Sequence, residues 1–330
     1  MSTITNNRDF LFIYEAKHTN PNGDPDNENK PRMDSYTQTN LVSDVRLKRY
    51  IRDYFKQQDR EIFVDMQGDS KVTMDKRLEG VLHERIATDG AMQRLINDDE
   101  AYKAFTDAQG KAKSTDELVK AMINDKSKLK DINQAVLSGL VREDFIDVRM
   151  FGSAFAIKGF NRAVTGPIQL AWGYSLNKVH LLESNTISSI MNDDSSTFGR
   201  DHRVKYSLIA FQGTINAAAA RHTGLSEADI EAFRAAIWAA VSATPSRSKV
   251  NQYPLLYVEF QYKDGEPNGS LGDLRRYVSA EVANGKDSRE VSDLEDLTLN
   301  FDALYQQRDD EAVASVYERS AGRLGYNKRG

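Results

Sequence analysis

The residues best suited to chemistry follow the first apolar run of the sequence. The run FLFIY, from Phe10 to Tyr14, leads into HTNPNGDPDNENKPRMD, from His18 to Asp34, which holds three prolines, four asparagines and three aspartates. A segment this polar does not belong in a core. Closely spaced oxygen donors and turn-forming residues suit a metal cage, a catalytic loop or a shaped surface that grips a ligand.

The spacing within this segment favours a shaped loop over a metal cage. The stretch DPDNE, from Asp24 to Glu28, resembles the start of a calcium loop, but Asn29 stands where such a loop has glycine. The five histidines form no close metal-ligand pair. We therefore predict no metal site and no cofactor. The loop is expected to be built from Asx turns and prolines, with Asn20 and Asn22 presenting amides to a phosphate or a sugar.

A second candidate is a row of basic side chains on the helix predicted over residues 39–58. Lys48 and Arg52 are four residues apart, and Arg49, Arg52 and Lys56 are spaced i, i+3, i+7. The row lies beside an apolar face, and a basic row of this kind can follow a phosphate backbone. The same row can equally be a solvated helix face whose charges pair with Asp44 and Asp53. The helix pattern leaves both interpretations open.

Two further stretches combine arginine with aromatic residues or histidine. DVRMFG places Arg149 and Phe151 beside a glycine, which suits phosphate contact and base stacking, although such a phenylalanine is more often core. TFGRDHRVKY gathers Arg200, His202 and Arg203 beside a predicted hairpin. The sequence has no nucleophile elbow, P-loop or histidine pair that would single out a catalytic centre.

Composition narrows the class of protein. The 330 residues contain no cysteine, which removes disulfides and thiolate sites and is compatible with the cytoplasm. The first residues lack the order of a signal peptide, and no apolar run is long enough for a membrane span, so we expect a cytoplasmic protein with no membrane partner. The net charge is −5, but residues 286–311 hold nine acids and three bases, a net of −6, so the remainder sums to +1. This acidic run can mask basic patches elsewhere, or it can be a solvated face.

Hydrophobic periodicity predicts a mixed fold. Strands are expected at 8–17, 61–67, 147–155, 206–216 and 255–262, helices at 39–58 and 226–243, a helical stretch over 70–142, and two strand-like arms around the turn NDDSS after residue 185. The order β-α-β, insertion, β, arm, β-α-β is that of a ferredoxin-like or RRM-like α+β fold with long insertions. No internal repeat is visible.

Five stretches together resemble a known family. They are NPNGDPDNENKPRMD, SDVRLKRYIRDY, DVRMFGSAFA, GPIQLAWGYSL and STFGRDHRVKYSLIAFQGTINA. In this order, over residues 8–262, they are similar to the backbone subunit of Type I CRISPR Cascade complexes, in the I-B or I-C branch. The opening loop is the most distinctive of them.

The resemblance implies one RRM-like domain over residues 1–330. A helical fingers insertion at 70–142 and a β-hairpin thumb at 184–204 would extend from its palm, with Ile190, Met191 and Phe198 on the thumb. Copies of such a subunit polymerise along a CRISPR RNA beside other Cascade subunits. Each thumb folds over the RNA held by its neighbour and displaces one nucleotide in every six. The other bases stay free to pair with target DNA in antiviral defence.

The resemblance also assigns roles to individual residues. Lys48, Arg49 and Arg52 would meet the RNA backbone, and Arg200, His202 and Arg203 would lie at the base of the thumb. Further RNA contacts carried over from the family are Asn20, Asn22, Arg149, Phe151 and Arg162. Type I backbones resemble binding proteins rather than enzymes, so no catalysis is expected. The alternative is a metal-dependent nuclease that uses the acidic loop at 24–28, by analogy with Type III relatives, with Asp24, Asp193 and Asp194 as candidates.

Overall fold

The computed structural model describes residues 2–65, 73–124, 129–157, 159–184, 186–192, 195–243 and 245–324. The chain forms two compact units. The first, here called the helical unit, comprises Met1–Ile4, Phe55–Ile168 and Ala217–Ala232. The second, here called the sheet unit, comprises Thr5–Tyr54, Gln169–Asn216 and Phe233–Gly330.

The helices and strands alternate along the chain in a mixed α and β architecture. The helices are α1 Asp44–Gln57, α2 Met74–Ala87, α3 Ala91–Leu95, α4 Asp99–Lys111, α5 Thr115–Asn124, α6 Lys130–Glu143, α7 Ile146–Phe151, α8 Ala217–Thr223, α9 Glu227–Ala243 and α10 Asp302–Gln306. The strands are β1 Arg8–Thr19, β2 Gly23–Asp24, β3 Lys30–Pro31, β4 Met33–Asp34, β5 Thr39–Val42, β6 Gly152–Phe155, β7 Arg162–Thr165, β8 Ile168–Leu170, β9 Gly173–Ser175, β10 Thr186–Asn192, β11 Ser195–Arg200, β12 Val204–Ile215, β13 Gln252–Tyr262, β14 Ser279–Val282, β15 Leu297–Asn300 and β16 Val313–Ser320. None of the helices in the described ranges is long and apolar enough to cross a membrane.

The main sheet is organised around β1. Its strand order is β16-β13-β1-β12-β9-β5-β4, and β1 pairs antiparallel with both β12 and β13. The apolar run at its centre is buried throughout, which confirms the prediction of a strand covered on both faces. The strands predicted at 206–216 and 255–262 are β12 and β13, and these predictions are also confirmed.

The two faces of β1 pack against different parts of the sheet unit. Phe10 packs edge-on against Phe233 of α9, with ring centroids 5.4 Å apart, and Tyr14 stacks on Phe211. On the opposite face, the side chains of Leu11 and Ile13 belong to a core shared with the chain after β13. That part of the core is made by Leu271, Leu274, Val278, Val291, Leu294, Leu297, Phe301, Leu304, Ala312 and Val313. The apolar residues of the acidic run at 286–311 therefore pack on the Leu11 and Ile13 face of the sheet.

Two of the elements predicted between residues 39 and 67 differ in the structure. The helix predicted from residue 39 begins at Asp44, because residues 39–42 form β5, which pairs with β9. The strand predicted over 61–67 is absent from its described part, residues 61–65. There the backbone N–H groups of Phe63 and Val64 donate to the carboxylate of Asp147, at 2.8 and 3.1 Å, instead of to another strand.

Helices α2 to α6 occupy residues 74–143 of the helical unit and enclose a core of their own. The strand predicted over 147–155 is wrong in its first half, because α7 covers residues 146–151 and β6 begins at Gly152. The helix predicted over 226–243 is α9. It begins with a capping box: the hydroxyl of Ser226 accepts from the N–H of Asp229, and the carboxylate of Asp229 accepts from the N–H of Ser226.

Candidate nucleic-acid interface

The polar segment after β1 is a compact hairpin of β2 and β3. The backbone N–H groups of Asn27 and Asn29 both donate to the carbonyl of Asp24, at 3.0 and 2.9 Å. Glu28 and Asn29 have positive φ angles of 51° and 56°, the left-handed conformation that turns of this kind require. The predicted loop of turns is thus present, and its backbone bonds define its shape.

Asn20 and Asn22 support this loop from within. The Nδ2 of buried Asn20 donates to the carbonyl of Asn29 at 2.7 Å. The Oδ1 of Asn22 accepts from the N–H of Ser43 at 2.9 Å, and its Nδ2 donates to the carbonyl of Gly23. The expectation that these amides are presented to a phosphate or a sugar does not match this geometry, because both side chains are engaged within the protein.

Glu28 joins the loop to the base of the β10–β11 hairpin. Its carboxylate lies 2.9 Å from the guanidinium of Arg200 and 3.7 Å from the Nε2 of His202. The hydrogen bond and charge of Arg200 hold the pKa of Glu28 below its usual value. Two predicted RNA contacts, Arg200 and His202, are therefore close together. Arg203 instead pairs with Asp201, at 2.5 Å.

The basic row on α1 is largely neutralised by its own helix. Lys48 lies 3.0 Å from Asp44 and Arg49 lies 2.7 Å from Asp53, each pair four residues apart. Arg52 is buried. The alternative interpretation, in which these charges pair with the two aspartates, is thus correct for Lys48 and Arg49.

Two basic residues that sequence analysis did not single out lie near the same place. Arg46, in the first turn of α1, stacks its guanidinium on the ring of Tyr50 at 4.0 Å. Lys249 donates to the backbone carbonyl of Asn20. Burial and the charge of Arg46 lower the pKa of Lys249 to about 7. Only the tertiary fold brings these two cations together, so sequence spacing gives no signal for the pair.

An open cleft of about 450 Å³ lies beside the loop. Its walls include Lys30, Arg32, Leu41, Trp172 and His180. The indole of Trp172 is 48% exposed, and the guanidinium of Arg32 lies 6.0 Å from its centroid. An exposed aromatic ring beside basic groups can stack a nucleobase while the cations meet its phosphate. The exposed tryptophan was not predicted, although it stands within the motif GPIQLAWGYSL.

Arg275 links the backbone of Trp172 to the ring of Tyr174. The Nη1 of Arg275 donates to the carbonyl of Trp172 at 2.8 Å, and the guanidinium stacks on Tyr174 at 4.2 Å. Arg32 is itself fixed by an ion pair with Asp24 at 3.1 Å. The connection between β8 and β9 that carries the indole is therefore braced, as an aromatic stacking platform requires.

Three of the predicted residues belong to the helical unit. Arg149 is buried and forms two hydrogen bonds with Asp229, and its Nη1 donates to the carbonyls of Val141 and Arg142. Phe151 is buried, which agrees with the core interpretation. These two positions therefore support the helical unit internally. Arg162 is exposed, and its Nη1 donates to the hydroxyl of Ser138.

The hairpin predicted as a thumb is formed by β10 and β11, which pair antiparallel from Thr186–Arg200 to Asn192–Ser195. Ile190, Met191 and Phe198 lie on these strands. Asp193 and Asp194, candidates under the nuclease alternative, lie outside the described residues. Within the described ranges no group of three or more acidic or histidine side chains could hold a metal ion, and Asp24 and Glu28 face Arg32 and Arg200.

Comparison with known proteins identifies relatives over nearly the whole chain. A curated relative, the CRISPR-associated protein Cas7 of Haloferax volcanii, is 29% identical over 317 residues, covering 88% of this chain and 80% of that protein. One solved CRISPR RNA-guided surveillance complex has a chain with 12% identity and a TM-score of 0.48, covering 98% of this chain and 93% of that one. A chain of a second such complex, in a pre-nicking state, has 16% identity and a TM-score of 0.47, covering 80% of this chain and 81% of that one.

The family assignment rests on the sequence model. The model of the family described as CRISPR-associated protein Cas7 matches residues 6–302, which span both strands that flank β1, the opening loop and the β10–β11 hairpin. The chain therefore belongs to the Cas7 family of CRISPR-associated proteins.

Proposed function

We propose that this protein is an RNA-holding backbone subunit of a Type I Cascade surveillance complex, of the I-B or I-C branch. Copies bind side by side along a CRISPR RNA, associate with the other Cascade subunits and leave bases free to pair with target DNA. The proposal rests on family membership and on one structural observation: the end of β1 presents cations and an exposed aromatic ring within the sheet unit.

The sheet supports an RRM-like palm as the core of this subunit. The antiparallel order β13-β1-β12, with Phe233 of α9 packed on one face, is the arrangement expected for such a palm. RRM domains bind RNA on the face that lacks helices. Here that face is covered by residues from Leu271 to Val313. RNA is therefore proposed to run across the ends of the strands, past the opening loop and the N-terminus of α1.

The mode of binding is proposed to be independent of sequence. Arginine and lysine contact phosphates and Trp172 stacks on a base without reading its edges, while base pairing supplies specificity. The β10–β11 hairpin serves as the thumb, and helices α2 to α6 as the fingers. The subunit is proposed to hold RNA without cutting it.

The experiment measures binding and cleavage separately. End-labelled spacer RNA is mixed with the full-length protein in EDTA and, in parallel, in Mg²⁺ or Mn²⁺. We expect tight binding in EDTA, intact RNA in all samples, and particle masses by light scattering that grow stepwise with RNA length. Cleavage that depends on the divalent ion would favour the nuclease alternative, and particle masses independent of RNA length would contradict the filament.

A further inference from the structure

Two positive side chains at the end of β1 have no acidic partner among the residues that the structure describes. Across the described ranges, the Arg46 side chain makes no hydrogen bond or ion pair, and its Nε is buried without an acceptor. Lys249 donates to a single backbone carbonyl, that of Asn20. The two residues belong to one contact cluster, because Arg46 stacks on Tyr50 and the Nε2 of Gln252 donates both to the Tyr50 hydroxyl and to the backbone carbonyl of Lys249, at 3.0 and 2.9 Å. Partly buried like charges repel, so this arrangement is suited to an anion placed between them.

Two tyrosine hydroxyls lie near these cations. The hydroxyl of Tyr14, in a side chain only 1% exposed, has no partner among the described residues and lies where Arg46 and Tyr50 act on it. The hydroxyl of Tyr50 accepts from the Nε2 of Gln252 at 3.0 Å, which leaves its own proton for an acceptor. Arg46 also lies in the first turn of α1, where the helix dipole favours negative charge. Two cations and two hydroxyl donors in one cluster suit an acceptor with negative charge.

We propose that Arg46 and Lys249 form a cradle that binds one phosphodiester group of the RNA, with the hydroxyls of Tyr14 and Tyr50 beside it. That the ligand is RNA rests on the proposed function, whereas the binding of an anion by these two side chains does not depend on it. Both basic side chains are half-buried, so an anion can reach them. The rim carries Val45, 66% exposed, and Val250, 47% exposed, which can pack against a ribose.

Binding in this cradle is coupled to a proton on Lys249. With a pKa of about 7, its amine is charged in only about half of the free molecules at neutral pH. A bound anion favours the charged form, so binding takes up a proton and weakens as the pH rises above 7. Arg46 faces Lys249 from α1. The loop that carries Lys249 has one other cation, Arg247, whose guanidinium lies 3.7 Å from the carboxylate of Asp201. Burial raises the pKa of Tyr14 well above its usual value, so its hydroxyl keeps its proton throughout.

The test uses sulfate, whose charge does not change over the relevant range, and the full-length protein. Sulfate is titrated at about pH 6 and about pH 8.5, and the rise in melting temperature is recorded. The variants are Arg46→Gln, Lys249→Gln and Lys249→Arg. Arg94→Gln and Lys103→Gln, which remove the same charges from exposed sites in α3 and α4, serve as matched controls.

Wild type and both controls should bind sulfate more tightly at the lower pH, and both Gln variants of the cradle should lose most of the stabilisation. Lys249→Arg should bind at both pH values alike, because arginine stays protonated. Each Gln variant should also bind RNA about tenfold more weakly than the controls. Sulfate and RNA binding that are unchanged in Arg46→Gln and Lys249→Gln would overturn the cradle and leave the proposed function intact. Sulfate binding lost in the cradle variants, with no RNA binding by wild type, would refute the proposed function alone.

Discussion

Arg149 and Asp229 are 80 residues apart in sequence and form a buried, two-pronged ion pair in the helical unit. The Nε and Nη2 of Arg149 lie 3.1 and 2.9 Å from the two carboxylate oxygens of Asp229. The same carboxylate caps α9 through Ser226. One arginine therefore fixes α7 relative to the start of α9.

Arg149→Ala is expected to destabilise the protein. Removing one partner of a buried ion pair leaves the other charge unpaired, and the free energy of unfolding should fall by about 3–5 kcal/mol. Chemical denaturation followed by circular dichroism measures the change. The control is Arg162→Ala, at an exposed arginine, which should change stability by about 0.5 kcal/mol or less. Equal effects of the two variants would contradict the assignment of Arg149 to the fold.

From the Arg149–Asp229 ion pair we also predict how the stability of the protein changes with acid pH. Burial favours the neutral form of Asp229, but the hydrogen bonds from Arg149 and Ser226 outweigh it and hold the pKa of Asp229 below its usual value of 3.8. Its stabilising contribution is complete above that value and is lost as the pH falls through the lower pKa of the folded state. Melting temperatures measured between about pH 5 and pH 2 should fall more steeply for wild type than for Arg149→Ala. Parallel curves would show that the pair does not control this response.

Local sequence patterns correctly predicted the strands in which consecutive residues are buried. The run from Phe10 to Tyr14 indicates two-sided burial because every residue in it is apolar, and the structure agrees. The chain near Phe63 looks equally strand-like. Its backbone hydrogen bonds, however, go to Asp147, which is 84 residues away in sequence. No local pattern contains that partner, so the prediction of a strand there was wrong.

The cations on and near α1 also show that local spacing predicts only partners that are close in sequence. The pairs Lys48–Asp44 and Arg49–Asp53 can be predicted from their i, i+4 spacing, and the structure shows both. Arg46 has no acid at that spacing, yet its importance emerges only when the fold places Lys249 beside it. The dense basic row therefore contains charges that its own helix neutralises, whereas Arg46 pairs in space with a cation about 200 residues later in the sequence.

The cleft predicts that Trp172 stacks on bound RNA. Trp172→Ala should reduce affinity by about 1–3 kcal/mol for RNAs of any sequence, because stacking does not depend on base identity. The chain has two tryptophans, so Trp238→Phe reports on Trp172 alone. RNA should quench the emission of Trp238→Phe and leave that of Trp172→Phe unchanged. Quenching of the same extent in both variants would argue against a stacking role for Trp172.

The row on α1 gives a graded prediction. Replacing Lys48, Arg49 and Arg52 together with Ala should weaken binding to all spacer sequences alike, and the slope of affinity against salt should flatten by about 0.7 for each of these residues that contacts a phosphate. Because Asp44 already neutralises Lys48, Arg46→Ala alone should weaken binding more than Lys48→Ala alone. Salt titrations with each variant measure both effects. An unchanged slope in the triple variant would remove the row from the interface.

The β10–β11 hairpin predicts a periodic pattern on the RNA. Within the described ranges its two strands pair only with each other, and an isolated two-stranded hairpin is marginally stable in water. The sequence of the hairpin nevertheless carries Ile190, Met191 and Phe198, so we expect it to be completed by RNA or by a neighbouring copy.

Deleting residues 188–196 tests this role directly. The deletion spares Arg200 and His202, whose contacts with Glu28 hold the base of the hairpin, so the sheet unit should keep its circular dichroism and its melting temperature. We propose that each thumb displaces one nucleotide from the stack, so chemical probing of the bound RNA should show regularly spaced reactive nucleotides with wild type. The spacing should disappear with the deletion, while overall affinity falls only modestly because the phosphate contacts remain. Reactive positions that recur at the same interval in the deletion variant would show that this hairpin does not displace the bases.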